Sequence, residues 1–150
     1  VFTRMYAERL NNVCKLEVAE AKNGDAVLPG KALIAPGGFQ MRLVKDKGGY
    51  AVRVFEGERV NGHAPSVDVL FDSVAETAGK LAVGIILTGM GGDGAKGLLH
   101  MREKGAHTIG QDEKSCVVYG MPMVAYNLGA VAKQAPLSAV ADELLRFLRR

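Results

Sequence analysis

The chain has 150 residues, a formal net charge of +3, and 48% hydrophobic against 23% charged residues, a composition typical of a soluble globular domain. No apolar run approaches the ~18 residues of a membrane span and no basic stripe is interleaved with aromatic residues, so neither membrane insertion nor nucleic-acid binding is expected. Cys14 and Cys116 lie far apart without a CxxC motif and the three histidines lack metal-ligand spacing, which favours reduced thiols in a cytoplasmic protein without a metal site.

The first third of the chain predicts one helix, two short strands and a hairpin. Apolar residues at positions 2, 6, 10 and 13 have helical spacing, with Thr3 as the expected N-cap. Residues 16–21 and 32–35 read as strands bounded by turn residues. Segments 41–45 and 50–55 flank Asp46-Lys47-Gly48-Gly49, which predicts an antiparallel β-hairpin with glycine in its tight turn.

From residue 66 onward, helices and strands alternate. The clearest helix follows Ser66, its expected N-cap, and ends at Gly79. The segments that follow are a strand at 83–87, a helix ending at Gly105, a strand at 107–110, a helix from Pro122 to Gly129, and a strand at 130–133. Ser138 is the expected cap of the last helix, whose inward face is predicted to carry Val140, Leu144 and Leu148.

This alternation predicts the fold class. It favours an α/β domain with a mostly parallel, doubly wound (Rossmann-like) sheet and an antiparallel hairpin inserted near residues 41–55. Neither an internal repeat nor a linker interrupts the chain, so residues 1–150 are expected to form a single domain.

The stretch from Val83 to Leu99 is the expected site of chemistry. Five residues without polar side chains lead into a turn, Thr88-Gly-Met-Gly-Gly-Asp-Gly94, which contains four glycines and one charged residue, Asp93. A helical pattern follows. Functional sites in α/β folds lie at this kind of strand–turn–helix junction.

Two functions compete for this turn. Gly89, Gly91 and Gly94 fit G-x-G-x-x-G, and Asp112 follows 18 residues beyond Gly94, as in a dinucleotide-binding fingerprint. However, Asp93 would place a carboxylate at the helix end that has to receive the pyrophosphate. The motif also begins after the midpoint of the chain instead of opening the domain.

The alternative makes Asp93 the functional group. An aspartate after a parallel strand can orient a histidine in a nucleophile–histidine–acid triad, and N–H groups of a glycine turn can stabilise an oxyanion. Aspartate is also a common helix N-cap, so a purely structural role competes with this interpretation. None of the four serines lies in a G-x-S-x-G motif, and Ser115 has no role that the sequence explains.

Six segments decide between these functions. They are Phe2-Thr-Arg4 with Tyr6-Ala-Glu-Arg-Leu-Asn11, Val27-Leu-Pro-Gly30, Ile34-Ala-Pro-Gly37, Pro65-Ser-Val-Asp-Val-Leu-Phe71, Ile86-Leu-Thr-Gly-Met-Gly-Gly-Asp-Gly-Ala95 and Ser115-Cys-Val-Val-Tyr-Gly-Met-Pro122. In this order, and over essentially the whole chain, they resemble the catalytic domain of the chemotaxis protein-glutamate methylesterases, the CheB-type enzymes.

The resemblance implies a cytoplasmic serine hydrolase of two-component signalling that needs no cofactor. Its substrates are glutamate methyl esters on methyl-accepting chemotaxis receptors; it releases methanol and often also deamidates receptor glutamines. By position, Asp93 matches the aspartate of a Ser-His-Asp triad, and the Met90 backbone amide matches an oxyanion donor. His63 matches a loop near the substrate face, and Gly91 and Gly92 are expected to line the site beside Asp93.

The resemblance also implies that part of the machinery is absent. The serine and histidine motifs of the family lie upstream of the stretch that matches Val1-Phe2-Thr3. The chain is therefore expected to be the C-terminal three-quarters of a catalytic domain, often preceded by a receiver domain, and to be inactive alone. A non-catalytic, receptor-binding remnant of the esterase fold is the remaining alternative.

Overall fold

A computed structural model describes residues 1–149 of the chain, which divides into two compact units, Val1–Ser73 and a second unit that starts at Val74. The first unit contains α1 (Phe2–Val13), β1 (Glu17–Glu20), β2 (Ala26–Val27), β3 (Lys31–Ile34), β4 (Gln40–Asp46), β5 (Gly49–Phe55) and the start of α2 (Val67–Thr77). Strands β1 and β3 pair in parallel, whereas β2, β5 and β4 form an antiparallel sheet in that order. Its core is Ala21, Met41 and Val52, on which Leu33, Ala35, Val54 and Leu70 pack.

The predicted hairpin is confirmed. Strands β4 and β5 pair from Gln40↔Phe55 to Asp46↔Gly49. The two residues between them, Lys47 and Gly48, have φ angles of 49° and 83°. Two positive φ values define the two-residue turn whose twist matches that of paired strands, which explains the glycine at the second position.

The second unit is a parallel sheet with helical connections. Its elements are a 3₁₀ turn (Gly79–Leu81), β6 (Val83–Ile86), α3 (Ala95–Glu103), β7 (His107–Gln111), α4 (Met121–Asn127), β8 (Lys133–Ala135) and α5 (Leu137–Leu148). The strand order is β6-β7-β8, and both pairings are parallel. A Cβ atom on Gly84 would lie 2.6 Å from Leu98, so the glycine in β6 lets α3 pack directly against the strand. The α/β fold class with an antiparallel hairpin is thus confirmed.

Two predicted helix caps are wrong. Helix α1 begins at Phe2 with Val1 as its N-cap, and Thr3 instead accepts a hydrogen bond from the Gly37 N–H at 2.9 Å and donates one to Glu20. Helix α5 begins at Leu137 after Pro136, whose φ of −65° leads into the helix, so Ser138 lies inside the first turn.

The end of the chain differs from the prediction in two further ways. The last strand is Lys133–Ala135 and not 130–133, because the buried hydroxyl of Thr108 binds the Ala130 carbonyl and the Ala132 N–H and holds that segment as a loop. Val140 is buried as expected, but Leu148 is 60% exposed. A helix of 12 residues is about 18 Å long, whereas β8 spans about 10 Å. The C-terminal end of α5, which carries Leu148, therefore extends beyond the strand.

Candidate functional site

The glycine turn connects the end of β6 to the start of α3. Gly91 and Gly94 have φ angles of 91° and 95°, values that favour glycine, and Gly94 is the N-cap of α3. Asp93 lies between them and is only 6% exposed, whereas Met90 is 80% exposed and Gly91 and Gly92 are also exposed. Because glycine has only backbone atoms, the turn presents backbone to solvent at Gly91 and Gly92 while it holds one carboxylate in a buried position.

Thr88 attaches the beginning of this turn to a second segment of the same unit. The N–H groups of Val117 and Val118 donate to Thr88 Oγ1 at 3.1 and 2.9 Å. The Thr88 hydroxyl donates in turn to the Val118 carbonyl at 3.1 Å. With three hydrogen bonds, this hydroxyl is committed to structure, so the one hydroxyl of the turn is not available as a nucleophile.

The next residue, Gly89, docks on that segment through its backbone. Its N–H donates to the Val118 carbonyl at 3.1 Å, and its own carbonyl accepts from the Met121 N–H at 2.8 Å. A Cβ atom on Gly120 would lie 2.6 Å from the Gly89 carbonyl oxygen and 3.2 Å from the Met90 Cα. The backbone of residues 117–121, here called the support segment, is thus in direct contact with the backbone of the glycine turn.

Ser115 and Asp112 lie in the loop before the support segment. Asp112 Oδ1 accepts from the Ser115 N–H at 3.0 Å and from its hydroxyl at 2.6 Å. The Ser115 oxygen also accepts from the Leu137 N–H at 3.0 Å. Ser115 therefore joins this loop to the start of α5, and one oxygen of the Asp112 carboxylate is occupied by that arrangement.

His63 belongs to the first unit, in the loop between β5 and α2. It is exposed, and its backbone forms an isolated antiparallel bridge with Val60. The buried side chain of Gln40 donates to the carbonyls of Glu58 and His63 at 2.9 and 3.0 Å and accepts from the Ser66 N–H at 2.9 Å. Gln40 thus holds this loop at both ends.

The other two histidines have structural contacts. His100 Nε2 lies 2.7 Å from Glu76 Oε1, and the His107 ring stacks on Phe147 with ring centroids 4.4 Å apart. In the described part of the chain, no group of three or more His, Cys, Asp or Glu side chains could hold a metal ion. Likewise, no helix between residues 1 and 149 has the length and apolar character needed to cross a lipid bilayer.

The structure places four of the predicted site residues, Met90, Gly91, Gly92 and Asp93, in one turn, while His63 lies in the other unit. The turn offers a buried acceptor, Asp93, beside exposed backbone, which suits orientation of an imidazole and stabilisation of an oxyanion. The sequence assigned no role to Thr88, Gly120 or Gln40, although Thr88 and Gly120 lie in segments that carry the resemblance. Their contacts join residues far apart in the chain, so no periodicity or spacing marks them.

Comparison with known proteins identifies relatives of the whole chain. A family model described as CheB methylesterase matches residues 1–144. A protein-glutamate methylesterase/protein-glutamine glutaminase of Syntrophomonas wolfei is 64% identical over 149 residues, and one of Agrobacterium fabrum is 55% identical over 146 residues. These matches cover 99% and 97% of this chain but only 44% and 42% of the relatives, so the chain spans less than half of their length.

A solved structure agrees with the fold. The CheB methylesterase catalytic domain of Thermotoga maritima matches with a TM-score of 0.94 at 34% sequence identity. The match covers 97% of this chain and 77% of that domain. The α/β fold described above is therefore the fold of that catalytic domain.

Proposed function

The chain belongs to the CheB methylesterase family, and from this premise we propose that it forms the part of a protein-glutamate methylesterase that supplies the acid and the oxyanion donor. The observation that carries the proposal is the burial of Asp93 within an exposed glycine turn. A carboxylate in this setting is held in a medium of low dielectric constant, where it interacts strongly with an imidazolium ion. The names of the relatives support the choice of reaction.

In the proposed reaction, a serine hydroxyl attacks the carbonyl carbon of a glutamate methyl ester. A histidine takes the serine proton and passes it to the departing methoxide, so methanol leaves and an acyl-serine remains. The histidine then takes a proton from a water molecule, which attacks the acyl-serine, and passes it to the serine oxygen. The glutamate carboxylate is released and the serine is regenerated. We propose that the serine and histidine come from residues outside this chain, as the resemblance implies, and that the chain alone is inactive.

Four residues of the turn have roles in this scheme. Asp93 accepts a hydrogen bond from the histidine and stabilises its charged form. The Met90 N–H donates to the negatively charged oxygen of the tetrahedral intermediate. Gly91 and Gly92 lack side chains and let the substrate come close to this backbone. His63 is a proposed substrate contact on the basis of the resemblance alone.

The proposed substrate proteins are methyl-accepting chemotaxis receptors. Deamidation of receptor glutamines is a second proposed reaction, because the relatives are also named protein-glutamine glutaminases. Attack of the serine on the glutamine amide gives the same acyl-serine when the C–N bond breaks and the nitrogen, protonated by the histidine, leaves as ammonia. The relatives are more than twice as long as the matched region, which leaves room for a receiver domain before the catalytic domain. We propose that the chain is the C-terminal three-quarters of that catalytic domain.

A chimaera tests the proposal. This chain would replace the matched 149-residue region of the S. wolfei relative, to which it is 64% identical. Methanol release from a methylated receptor is measured for the chimaera, the parent and the chain alone. We expect activity in the first two and none in the chain alone. Asp93→Asn should lower kcat by about 10³–10⁴-fold, because the histidine loses its orienting partner.

Asp142→Asn is the matched control for that substitution. Asp142 is exposed on α5 in the same unit, so the same loss of one charge there should leave kcat within about twofold. A folded but inactive chimaera beside an active parent would overturn the proposed function. An Asp93→Asn chimaera that keeps its activity would overturn the triad assignment alone.

A further inference from the structure

Gln111 is the last residue of β7 and is 0% exposed. Its side-chain Oε1 accepts from the Thr88 N–H at 2.8 Å. Its Nε2 donates to the carbonyl and to the hydroxyl oxygen of Ser115, at 2.9 and 3.2 Å. The carboxamide therefore bridges the first residue of the glycine turn and the loop before the support segment, and none of these bonds lies within the sheet.

The position of this bridge follows from where the strand ladder ends. The last paired residues of β6 and β7 are Ile86 and Gly110. Beyond that pair, the Thr88 N–H has no β7 carbonyl opposite it in the ladder, and the Gln111 side chain supplies the acceptor. Thr88, once held, binds Val117 and Val118 of the support segment through its hydroxyl. The turn is thus held at the Thr88 N–H by one buried amide, in addition to its hydrogen bonds with the support segment.

We propose that Gln111 is a positioning residue for the catalytic turn, acting through Thr88 and the support segment on the Met90 amide and on Asp93. This inference rests on the proposed function of that turn. Gln111 makes no contact with the substrate in this scheme. Oxyanion donors must be held close to their working positions, since a displacement of about 1 Å costs about 10²-fold in rate.

Thr108 provides the comparison that separates positioning from simple stabilisation. It lies on the same strand and is also 0% exposed. Its hydroxyl donates to the Ala130 carbonyl at 2.6 Å and accepts from the Ala132 N–H at 3.0 Å. Thr108 therefore fixes a different loop. Replacing Thr108 should lower the stability of the protein, as replacing Gln111 does, but it should not change the position of the glycine turn.

The first test is amide hydrogen exchange, measured by NMR on the 150-residue chain itself. Gln111→Met removes all three hydrogen bonds with little change in volume, and Thr108→Val is its control. We expect Gln111→Met to raise exchange at Thr88 and Val118 by at least about tenfold while the β6–β7 ladder stays protected. Thr108→Val should leave exchange at Thr88 and Val118 unchanged, while the Ala132 N–H keeps its hydrogen bond to the Thr108 backbone carbonyl at 3.1 Å. Unchanged exchange at Thr88 in Gln111→Met would overturn the inference.

The second test is kinetic and uses the chimaera at a temperature well below its melting point. Gln111→Met should lower kcat by about 10²-fold and change KM by less than about threefold, because binding is kept and transition-state stabilisation is lost. Thr108→Val should change kcat by less than about threefold. A Gln111→Met chimaera that has a lower melting temperature but an unchanged kcat would show that Gln111 has a structural role only, and would overturn the inference.

Thr88→Val replaces the Gln111 variant in this test if that variant does not fold. Thr88 is exposed, so the loss of its hydroxyl should destabilise the protein less than the loss of the buried Gln111 amide. Thr88→Val removes the hydroxyl that links Gln111 to the support segment, so the same fall in kcat is expected, and an unchanged kcat would overturn the inference. If the chimaera with the native residues is inactive, the proposed function fails. The exchange experiment on the chain still decides whether Gln111 positions the turn.

Discussion

The backbone of Gly120 lies so close to that of Gly89 that a Cβ atom on Gly120 would stand 2.6 Å from the Gly89 carbonyl oxygen. The neighbouring Met121 N–H donates to that same oxygen at 2.8 Å. The support segment and the glycine turn are therefore joined by main-chain atoms, and the missing side chain of Gly120 is what permits the contact.

Gly120→Ala should consequently destabilise the protein. The added methyl group meets rigid backbone, so the turn must move away from the support segment, and we expect the free energy of unfolding to fall by about 1–3 kcal/mol. Urea unfolding of the chain measures this change. Gly49→Ala is the control, because its Cβ would come no closer than 3.8 Å to any neighbour. Equal effects at the two positions would contradict the close-contact explanation.

Ser115 and Ser138 should respond differently to the same substitution. Ser115→Ala removes the hydroxyl's hydrogen bonds to Asp112 and Leu137 and leaves the partly buried Asp112 carboxylate with the Ser115 N–H as its donor, at a cost of about 1–2 kcal/mol. Ser138 is exposed and lies inside the first turn of α5, so Ser138→Ala should change stability by less than about 0.5 kcal/mol. A loss near 1 kcal/mol at Ser138, seen in thermal unfolding, would restore its predicted role as a cap.

Lys47 offers a route to greater stability. Its φ of 49° is unfavourable for most side chains, whereas asparagine tolerates this conformation and is common before glycine in such turns. Lys47→Asn should raise the free energy of unfolding by about 0.5–1 kcal/mol. Lys45→Asn, which changes the same residue type within β4, should give no gain because asparagine is disfavoured in strands. Chemical denaturation of both variants decides the matter.

Gln40 should control the loop that carries His63. Gln40→Met removes the hydrogen bonds to Glu58, His63 and Ser66, so amide exchange in residues 58–66 should rise by about tenfold or more. Gln134→Met is the control, because Gln134 is exposed and its side-chain amide donates to the Tyr119 hydroxyl, outside this loop. Loop exchange that stays slow in Gln40→Met would mean that other contacts hold this loop.

The turns predicted from glycine positions agree with the structure better than the predicted helix caps do. The hairpin at β4 and β5 follows from two alternating segments around a glycine turn, and helix α3 ends at Glu103 before Gly105, whose φ is 95°. The cap predicted at Thr3 failed because its hydroxyl binds residues 17 and 34 positions away. A hydroxyl that can bind groups distant in the sequence can thus be taken from the capping role that its local sequence predicts.

The amino-acid sequence by itself determined the α/β class, the glycine turn with its single carboxylate, and the resemblance to the methylesterases, because periodicity, turn chemistry and motifs are local properties. The tertiary structure decided how that turn is held. Thr88 meets Val118 across 30 residues of sequence and Gln111 across 23, and Gly120 meets Gly89 through backbone alone. Such contacts have no pattern along the chain, since they exist only once the sheet has brought β6, β7 and the support segment together.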